Sequence, residues 1–357
     1  FADGTTWTKA QIRVMLLAQA STDGNDTIVG FDVADVINGG LGNDIITTDY
    51  GNDTITGGKG DDVIDGGADN DTYVYARGDG NDTITEATWN GASDKLTFTD
   101  INAADVSVSF TGTDLRLTIA ESAAGAGDGG SILIKTTLGT SYGQGVEQIV
   151  FADGTTWNAA QMRGQAIASA QTSGNDTITG FSSDDTYIGG KGNDVINGGE
   201  GSDTYVYARG DGNDIITDDR WNGTSDKIVF TDIKPSDVNL ARSGNDLTLS
   251  FAESTPGAGD GGSILIKSTL DGAYGEGIEK IVFADGTVWT RSTYVSLLLS
   301  QSGTDSNDTI KGTANADIIA GAKGNDVING GEGDDTYVYA RGDGNDIITD
   351  DRWNGTS

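Results

Sequence analysis

Aspartate recurs at every ninth residue in three separate stretches of this 357-residue chain. It stands at 26, 35, 44, 53, 62 and 71, at 176, 185, 194 and 203, and at 308, 317, 326 and 335. Histidine and cysteine are absent. That removes the usual general base, the preferred nitrogen ligand and every thiolate site. The chemistry left to the phased residues is that of hard oxygen: carboxylates and backbone carbonyls. Such a set suits Ca²⁺, which takes about 6–8 oxygens at about 2.3–2.6 Å, better than Mg²⁺, which prefers an octahedron near 2.0–2.1 Å and retains water. Hydrolysis would have to rest on the same carboxylates, so no enzyme activity is expected of these residues.

The elements that must position them are short. Two residues after each aspartate of the first stretch comes Ile28, Ile37, Ile46, Ile55, Ile64 or Tyr73. Three residues such as "VIN" make a minimal strand with one inward side chain, as a period of 2 requires. Six residues such as "GGKGND" make the turn, where glycine permits positive φ and close backbone approach. Two strand–turn units bring the chain back to its starting side, so one full coil takes 18 residues. Turns then stack with the next but one, Asp44 over Asp62 and Asp53 over Asp71. Stacked carboxylates repel unless a cation lies between them. The alternative is that Asp and Asn simply cap Asx turns between strands.

Composition points the same way. There are 55 glycines, 55 acidic against 21 basic residues, and a formal charge of −34. Such a chain repels itself, and its apolar content of 35% is low for one large core. Polycationic partners or metal ions would relieve the repulsion, and the regular spacing favours ions. A nucleic-acid backbone needs a basic face that this chain lacks. No disulfide framework is possible. There is no apolar run of membrane-spanning length and no basic region followed by an apolar stretch at the N-terminus.

A longer period encloses the short one. "TYVYARGDGND" occurs at 72–82, 204–214 and 336–346, an offset of 132, and "GGSILIK" at 129–135 and 261–267. "FADGTTW" at 1–7 returns at 151–157, an offset of 150. The surplus of 18 residues is one full coil, the insertion that preserves side and phase. The divisions expected are the end of a preceding module and a linker helix (1–20), three roll blocks (21–86, 171–218 and 303–357, the last including the start of a further cap), two β capping regions (87–157 and 219–289) and two further linker helices (158–170 and 290–302). The caps show period-2 alternation, as in "DKLTFTD" and "DLRLTIA". Trp89, Trp221, Tyr142, Tyr274, Trp157 and Trp289 are expected to pack in them rather than stack on sugars. In the first helix, Ile12, Met15, Leu16 and Leu17 should lie over the first coil, and Gly164 should weaken the second helix.

The nonapeptide G-G-x-G-x-D-x-U-x, seen twice in "GGKGDDVIDGGADND" (57–71), resembles the RTX (repeats-in-toxin) calcium-binding repeat, which forms parallel β-helices. The caps resemble the haemolysin-type calcium-binding related domain. The resemblance implies an all-β fold of tandem calcium-bound parallel β-rolls alternating with short-stranded caps and one short helix per module. It also implies ligands: carbonyls 2 and 4 of one turn with its Asp, and carbonyls 1 and 3 of the turn one coil later with its Asp. One site would be Gly40, Gly42, Asp44, Gly57, Lys59 and Asp62, and a second Thr172, Gly174, Asp176, Gly189, Lys191 and Asp194. A third would be Ala322, Gly324, Asp326, Arg341, Asp343 and Asp346.

Further positions implied in block one are Thr22, Gly24 and Asp26; Phe31, Val33 and Asp35; Gly39 and Leu41; Asp49, Gly51 and Asp53; Gly58 and Gly60; Gly66, Ala68 and Asp71; and Arg77, Asp79 and Asp82. In block two they are Phe181, Ser183 and Asp185; Gly190 and Gly192; Gly198, Glu200 and Asp203; and Arg209, Asp211 and Asp214. In block three they are Thr304, Ser306 and Asp308; Thr313, Asn315 and Asp317; Gly321 and Lys323; and Gly330, Glu332 and Asp335. Stacking gives eight pairs, and the "RGDGND" turns raise the count of ions to eleven at most. The turns at 30–35, 180–185 and 312–317 lack the usual glycines and should bind with more strain.

"RGD" at Arg77, Arg209 and Arg341 matches an integrin tripeptide, and "NDT" at Asn25, Asn52, Asn81, Asn175 and Asn307 a glycosylation acceptor. Both sit inside the phased turns, and both are read as accidents of the repeat. The function expected is a calcium-folded structural segment of a large secreted or cell-surface protein, serving as an adhesin stalk, surface-layer or filament building block, and the resemblance implies export by type I secretion. The alternative is the secretion and folding region of an enzyme or toxin whose active domain lies outside this sequence. Ice or glycan binding on the roll faces is disfavoured by the mixed outward row Thr27, Val36, Ile45, Thr54, Val63 and Thr72.

Overall fold

The computed structural model describes residues 4–86, 93–139, 145–218, 225–270 and 277–351. Trp89, Tyr142, Trp221 and Tyr274 lie outside the described residues. Two compact units divide the chain, Phe1–Ser169 and Ala170–Ser357.

In the first unit each nonapeptide forms one short parallel strand, and every second strand pairs. Thr27–Val29, Ile45–Thr47 and Val63–Asp65 stack in one sheet; Val36–Leu41, Thr54–Lys59 and Thr72–Tyr75 stack in the other. The register is Thr27 to Ile45, Ile45 to Val63, Val36 to Thr54 and Thr54 to Thr72, 18 residues each time. The coil length expected from the 18-residue surplus is therefore the coil length of the structure. Between the sheets lie Ile28, Ile46, Ile64 and Ile84 from one side and Ile37, Ile55 and Tyr73 from the other, all buried. This is a one-side-chain-wide core. The residues beside each inward position, such as Val36 and Ile45, face outward and are exposed.

Neither sheet stops at residue 86. Asn81–Thr85 pairs in parallel with Gly130–Ile134, and Thr72–Tyr75 with Lys95–Phe98, which pairs in turn with Gln148–Val150. Only then do antiparallel strands close the sheets, Asp114–Ile119 and Val106–Thr111 on one and Thr156–Asn158 on the other. The cap thus continues the roll with longer, more apolar coils: Leu96, Phe98, Leu115, Ile132 and Ile149 are buried. Trp157 is buried and packs edge-on against Phe151, with ring centroids 4.6 Å apart, as core packing requires.

The second unit repeats this plan. Thr177–Thr179, Val195–Asn197 and Asn213–Thr217 continue into Gly262–Ile266, while Thr186–Ile188, Thr204–Tyr207 and Lys227–Phe230 continue into Lys280–Val282. Trp289 packs on Phe283 with the same geometry as its counterpart, 4.6 Å between centroids. A third roll, also in this unit, stacks Thr309–Lys311 on Val327–Asn329 and Ile347–Thr349, and Ile318–Ala320 on Thr336–Val338.

Among the described residues three α-helices precede the rolls: α1 (Lys9–Ala20), α2 (Ala159–Ala170) and α3 (Arg291–Ser302). Thr8 and Gln11 form a capping box at the start of α1. The packing face of α1 differs from the expected one. Leu17 is buried and Met15 half-buried, but Ile12 and Leu16 are exposed. Residues 12 and 16 share one helical face; residues 13 and 17 share the next, and it is this face that meets the roll, with the Arg13 guanidinium 5.2 Å from the Phe31 ring centroid. In α3 the counterparts Tyr294 and Leu298 are buried, because there the strands Val238–Ser243 and Val288–Thr290 also lie against the helix.

Candidate metal centres

Each coil hangs its aspartate on the coil before. The backbone N–H of Asp26 donates to Asp44 Oδ1 at 2.8 Å, Asp35 to Asp53 at 2.7 Å, Asp44 to Asp62 at 2.8 Å and Asp53 to Asp71 at 2.8 Å. The second roll repeats this from Asp176 to Asp194 and from Asp185 to Asp203, both at 2.9 Å. The third runs from Asp308 to Asp326 at 2.8 Å and from Asp317 to Asp335 at 2.9 Å. The "RGDGND" turns add one rung each: Asp62 to Asp82 at 3.1 Å, Asp194 to Asp214 and Asp326 to Asp346 at 3.0 Å.

The second carboxylate oxygen divides the aspartates into two classes. In the opening two turns of each roll it closes its own turn. Thr22 N–H donates to Asp26 Oδ2 at 2.6 Å and Phe31 N–H to Asp35 Oδ2 at 2.7 Å. Thr172 serves Asp176, Phe181 serves Asp185, Thr304 serves Asp308 and Thr313 serves Asp317 in the same way. For these six the turn-capping role is realised. From the third turn on the oxygen has no such donor: Oδ2 of Asp44, Asp53, Asp62, Asp71, Asp194, Asp203, Asp326 and Asp335 is buried without a hydrogen-bond partner. A buried, ionised oxygen left this way is strongly disfavoured unless a cation or a proton meets it.

The glycines make room for that oxygen. A Cβ on Gly39 would strike both Asp44 Oδ2 and the Gly57 carbonyl, so the two oxygens face one small space. Gly57 does the same for Asp62 Oδ2, Gly189 for Asp194 Oδ2 and Gly321 for Asp326 Oδ2. Gly60 holds φ +149°, and a side chain there would collide with the Gly42 carbonyl directly above. Where another residue stands in the column of Gly60 or of Gly40 and Gly58, which also hold positive φ, the backbone stays left-handed: Asp69 in the first and Asp49 and Ala322 in the second sit at φ 80°, 77° and 63°. The carbonyls of Lys59, Asp79, Asp211 and Asp343 accept from Gly42, Gly60, Gly192 and Gly324 N–H at 2.6–2.8 Å, which leaves one lone pair on each. Four carboxylates of the stack are held well above their ordinary range. Burial, then the neighbouring carboxylates, push Asp53 and Asp62 to about 6, Asp71 to about 7 and Asp203 to about 8. The oxygen set, its burial and its charge fit Ca²⁺.

The ladder does not end with the nonapeptides. Asp71 N–H donates to Asp94 Oδ1 and Asp94 N–H to Glu147 Oε2, both at 2.7 Å. Asp203 and Asp226 repeat this with Asp226 and Glu279 at 2.7 and 2.8 Å. Nine-residue phasing does not find these four, since coils here take 23 residues or more. Their one sequence signal is recurrence at an offset of 132.

The two short motifs are occupied by the fold. Arg77 pairs with Asp105 at 2.7 Å and Arg209 with Asp237 at 2.8 Å, while Asp79 Oδ2 accepts from Ala76 N–H at 2.7 Å. Asn25, Asn52, Asn175 and Asn307 each accept, through Oδ1, the N–H of the asparagine one coil on, at 2.8–3.1 Å. No helix among the described residues is long and apolar enough to cross a membrane.

The family model for the RTX calcium-binding nonapeptide repeat matches residues 21–46, 38–73, 47–84, 172–196, 179–216 and 302–337. That for the haemolysin-type calcium binding protein related domain matches 114–161 and 246–293. No curated protein matches the chain. Among solved structures, the chain is similar to the extracellular lipase LipA from Serratia marcescens, at 20% identity and a TM-score of 0.19, over 69% of this chain and 36% of that one. The phased aspartates, the 18-residue coils and the two family matches agree: the chain carries RTX calcium-binding nonapeptide repeats, with haemolysin-type calcium-binding related domains between its rolls.

Proposed function

We propose that calcium folds this chain and that the folded modules serve as a structural repeat of a larger secreted or cell-surface protein. The observation that carries the reading is the set of eight buried Oδ2 atoms without a hydrogen-bond partner, seven of them beside a glycine. Each nonapeptide buries one side chain, worth about 1.5–3 kcal/mol, against about 1–2 kcal/mol for every backbone residue ordered. Ion binding supplies the remainder, because ligands spread over two coils exist as a site only in the folded chain. A chain of this kind stays unfolded where calcium is scarce, passes a type I secretion channel, and folds in calcium-rich surroundings.

Near-identical modules that continue their sheets through the caps support a stalk, adhesin or lattice role without enzymatic activity. The second reading is a secretion and folding region attached to an enzyme or toxin, and the RTX repeat and haemolysin-type related domain matched in this chain are consistent with that use as well. Far-UV circular dichroism during a calcium titration, with magnesium as control, tests the first claim. A β spectrum already complete in chelator would refute calcium-driven folding. Electron microscopy of the calcium-loaded chain then separates the roles: filaments or sheets support assembly, and persistent monomers at high concentration refute it.

A further inference from the structure

The last turn of each complete roll meets the first coil of its cap at three carboxylates. In the first unit these are Asp71, Glu86 and Asp94; in the second, Asp203, Asp218 and Asp226. Their oxygens all lie within 4.8 Å of one another in each cluster. Asp203 and Asp226 are fully buried, and Asp71 and Asp94 nearly so. The Oδ2 atoms of Asp71, Asp203 and Asp226 have no hydrogen-bond partner. Three carboxylates this close, out of water, cannot all be ionised without a cation among them.

The third member of each cluster comes from outside the nonapeptide pattern. Glu86 lies one coil beyond Gly66, and a Cβ on Gly66 would sit 2.7 Å from Asp71 Oδ2 and 3.0 Å from Glu86 Oε1. Asp218 lies one coil beyond Gly198 in the same way, with Gly198 N–H donating to Thr217 O at 3.0 Å. Within the rolls this level is filled by a glycine of the next turn, whose carbonyl is the oxygen on offer. At the junction a side-chain carboxylate takes its place. It is aimed by a tyrosine: Tyr205 O–H donates to Asp218 Oδ2 at 2.7 Å, and Tyr73 O–H donates to Glu86.

We infer that each roll–cap junction is a further divalent-cation site, held by three side-chain carboxylates, at which the ion joins the last nonapeptide to the cap. Glu86, Asp94, Asp218 and Asp226 lie beyond the repeat matches, which end at residues 84 and 216, and before the cap-domain matches, which begin at 114 and 246; Asp71 and Asp203 are the last phased aspartates of the repeats. With three formal charges where a roll site has two, the junction retains its ion longest when calcium is withdrawn. The inference rests on the rolls being calcium sites, and the test separates the two.

Diffraction from crystals of the unmodified chain loaded with Tb³⁺, a calcium substitute with strong anomalous scattering, locates ions directly. Peaks at the junctions as well as beside Asp44 and Asp62 support the proposal. Peaks in the rolls alone overturn it and leave shared protons as the explanation of the clusters. Peaks nowhere overturn the calcium reading of the rolls as well. In solution, Glu86→Leu and Asp218→Leu should each release one equivalent of calcium, measured by atomic emission after gel filtration, while the roll ions remain. An unchanged count in a folded variant also overturns the proposal.

Discussion

Asp44 donates its backbone N–H to Oδ1 of Asp62, one coil further on, at 2.8 Å, and Oδ2 of the same Asp62 is buried with no partner. One carboxylate therefore has two jobs: one oxygen sets the register of the stack, and the other faces glycine-lined space. Asp26, two coils earlier, instead uses Oδ2 to close its own turn through Thr22 N–H. The contrast permits a test.

Asp62→Asn keeps an Oδ1 acceptor for Asp44 and removes the charge. Its calcium affinity, followed by isothermal titration, is expected to fall roughly tenfold or more, equivalent to about 1.4 kcal/mol. Asp26→Asn retains a capping side chain, and its effect should stay within about 1 kcal/mol. Equal effects at the two positions would contradict the division into classes.

Acidity should substitute in part for calcium. Burial first, then like charge, raises Asp53 and Asp62 to about 6, Asp71 and Asp214 to about 7, and Asp82 and Asp203 to about 8. A carboxyl whose folded value lies above its unfolded value of 3.8 stabilises the fold below that value, and the contribution is lost as pH rises through the folded value. In chelator the β spectrum should therefore be strongest near pH 4 and fade towards pH 8, while calcium restores it at pH 8. A chelated chain with no pH dependence over this range would count against the shared-charge account of the stack.

Backbone shape at the turns can be probed from both sides. Gly60→Ala forces a Cβ against the Gly42 carbonyl at φ +149° and should lower stability in calcium by about 2 kcal/mol or more, seen as a drop in Tm. Ala322→Gly relieves φ +63° and should gain a few tenths to about 1 kcal/mol, after the entropy glycine adds to the unfolded chain. A tolerated Gly60→Ala would show that the turns do not stack this closely.

Helix α2 contains Gly164, and a Cβ there would meet nothing within 4 Å. Gly164→Ala should therefore stabilise by about 0.5–1 kcal/mol without altering calcium stoichiometry. A loss of stability would mean that the helix needs the glycine for a contact not seen in this fold.

Residue type and spacing by themselves determined the coil. A nine-residue phase with one inward isoleucine and a glycine turn admits an 18-residue stack, and absence of His and Cys leaves only oxygen to bind. Tertiary structure alone decided what each oxygen does. Asp26 and Asp44 are indistinguishable by phase, yet only the latter leaves Oδ2 unmatched, since the opening turns adopt a shape in which Thr22 N–H reaches its own aspartate. The same holds for Glu86, Asp94, Asp218 and Asp226, which fall out of phase because the coils lengthen as the cap begins. It holds also for α1, where Leu17 and not Ile12 or Leu16 is covered. Phase reports which residues share a column. Which partner fills the space beside them depends on backbone direction and on the neighbouring coil, and these exist only once the chain is wound.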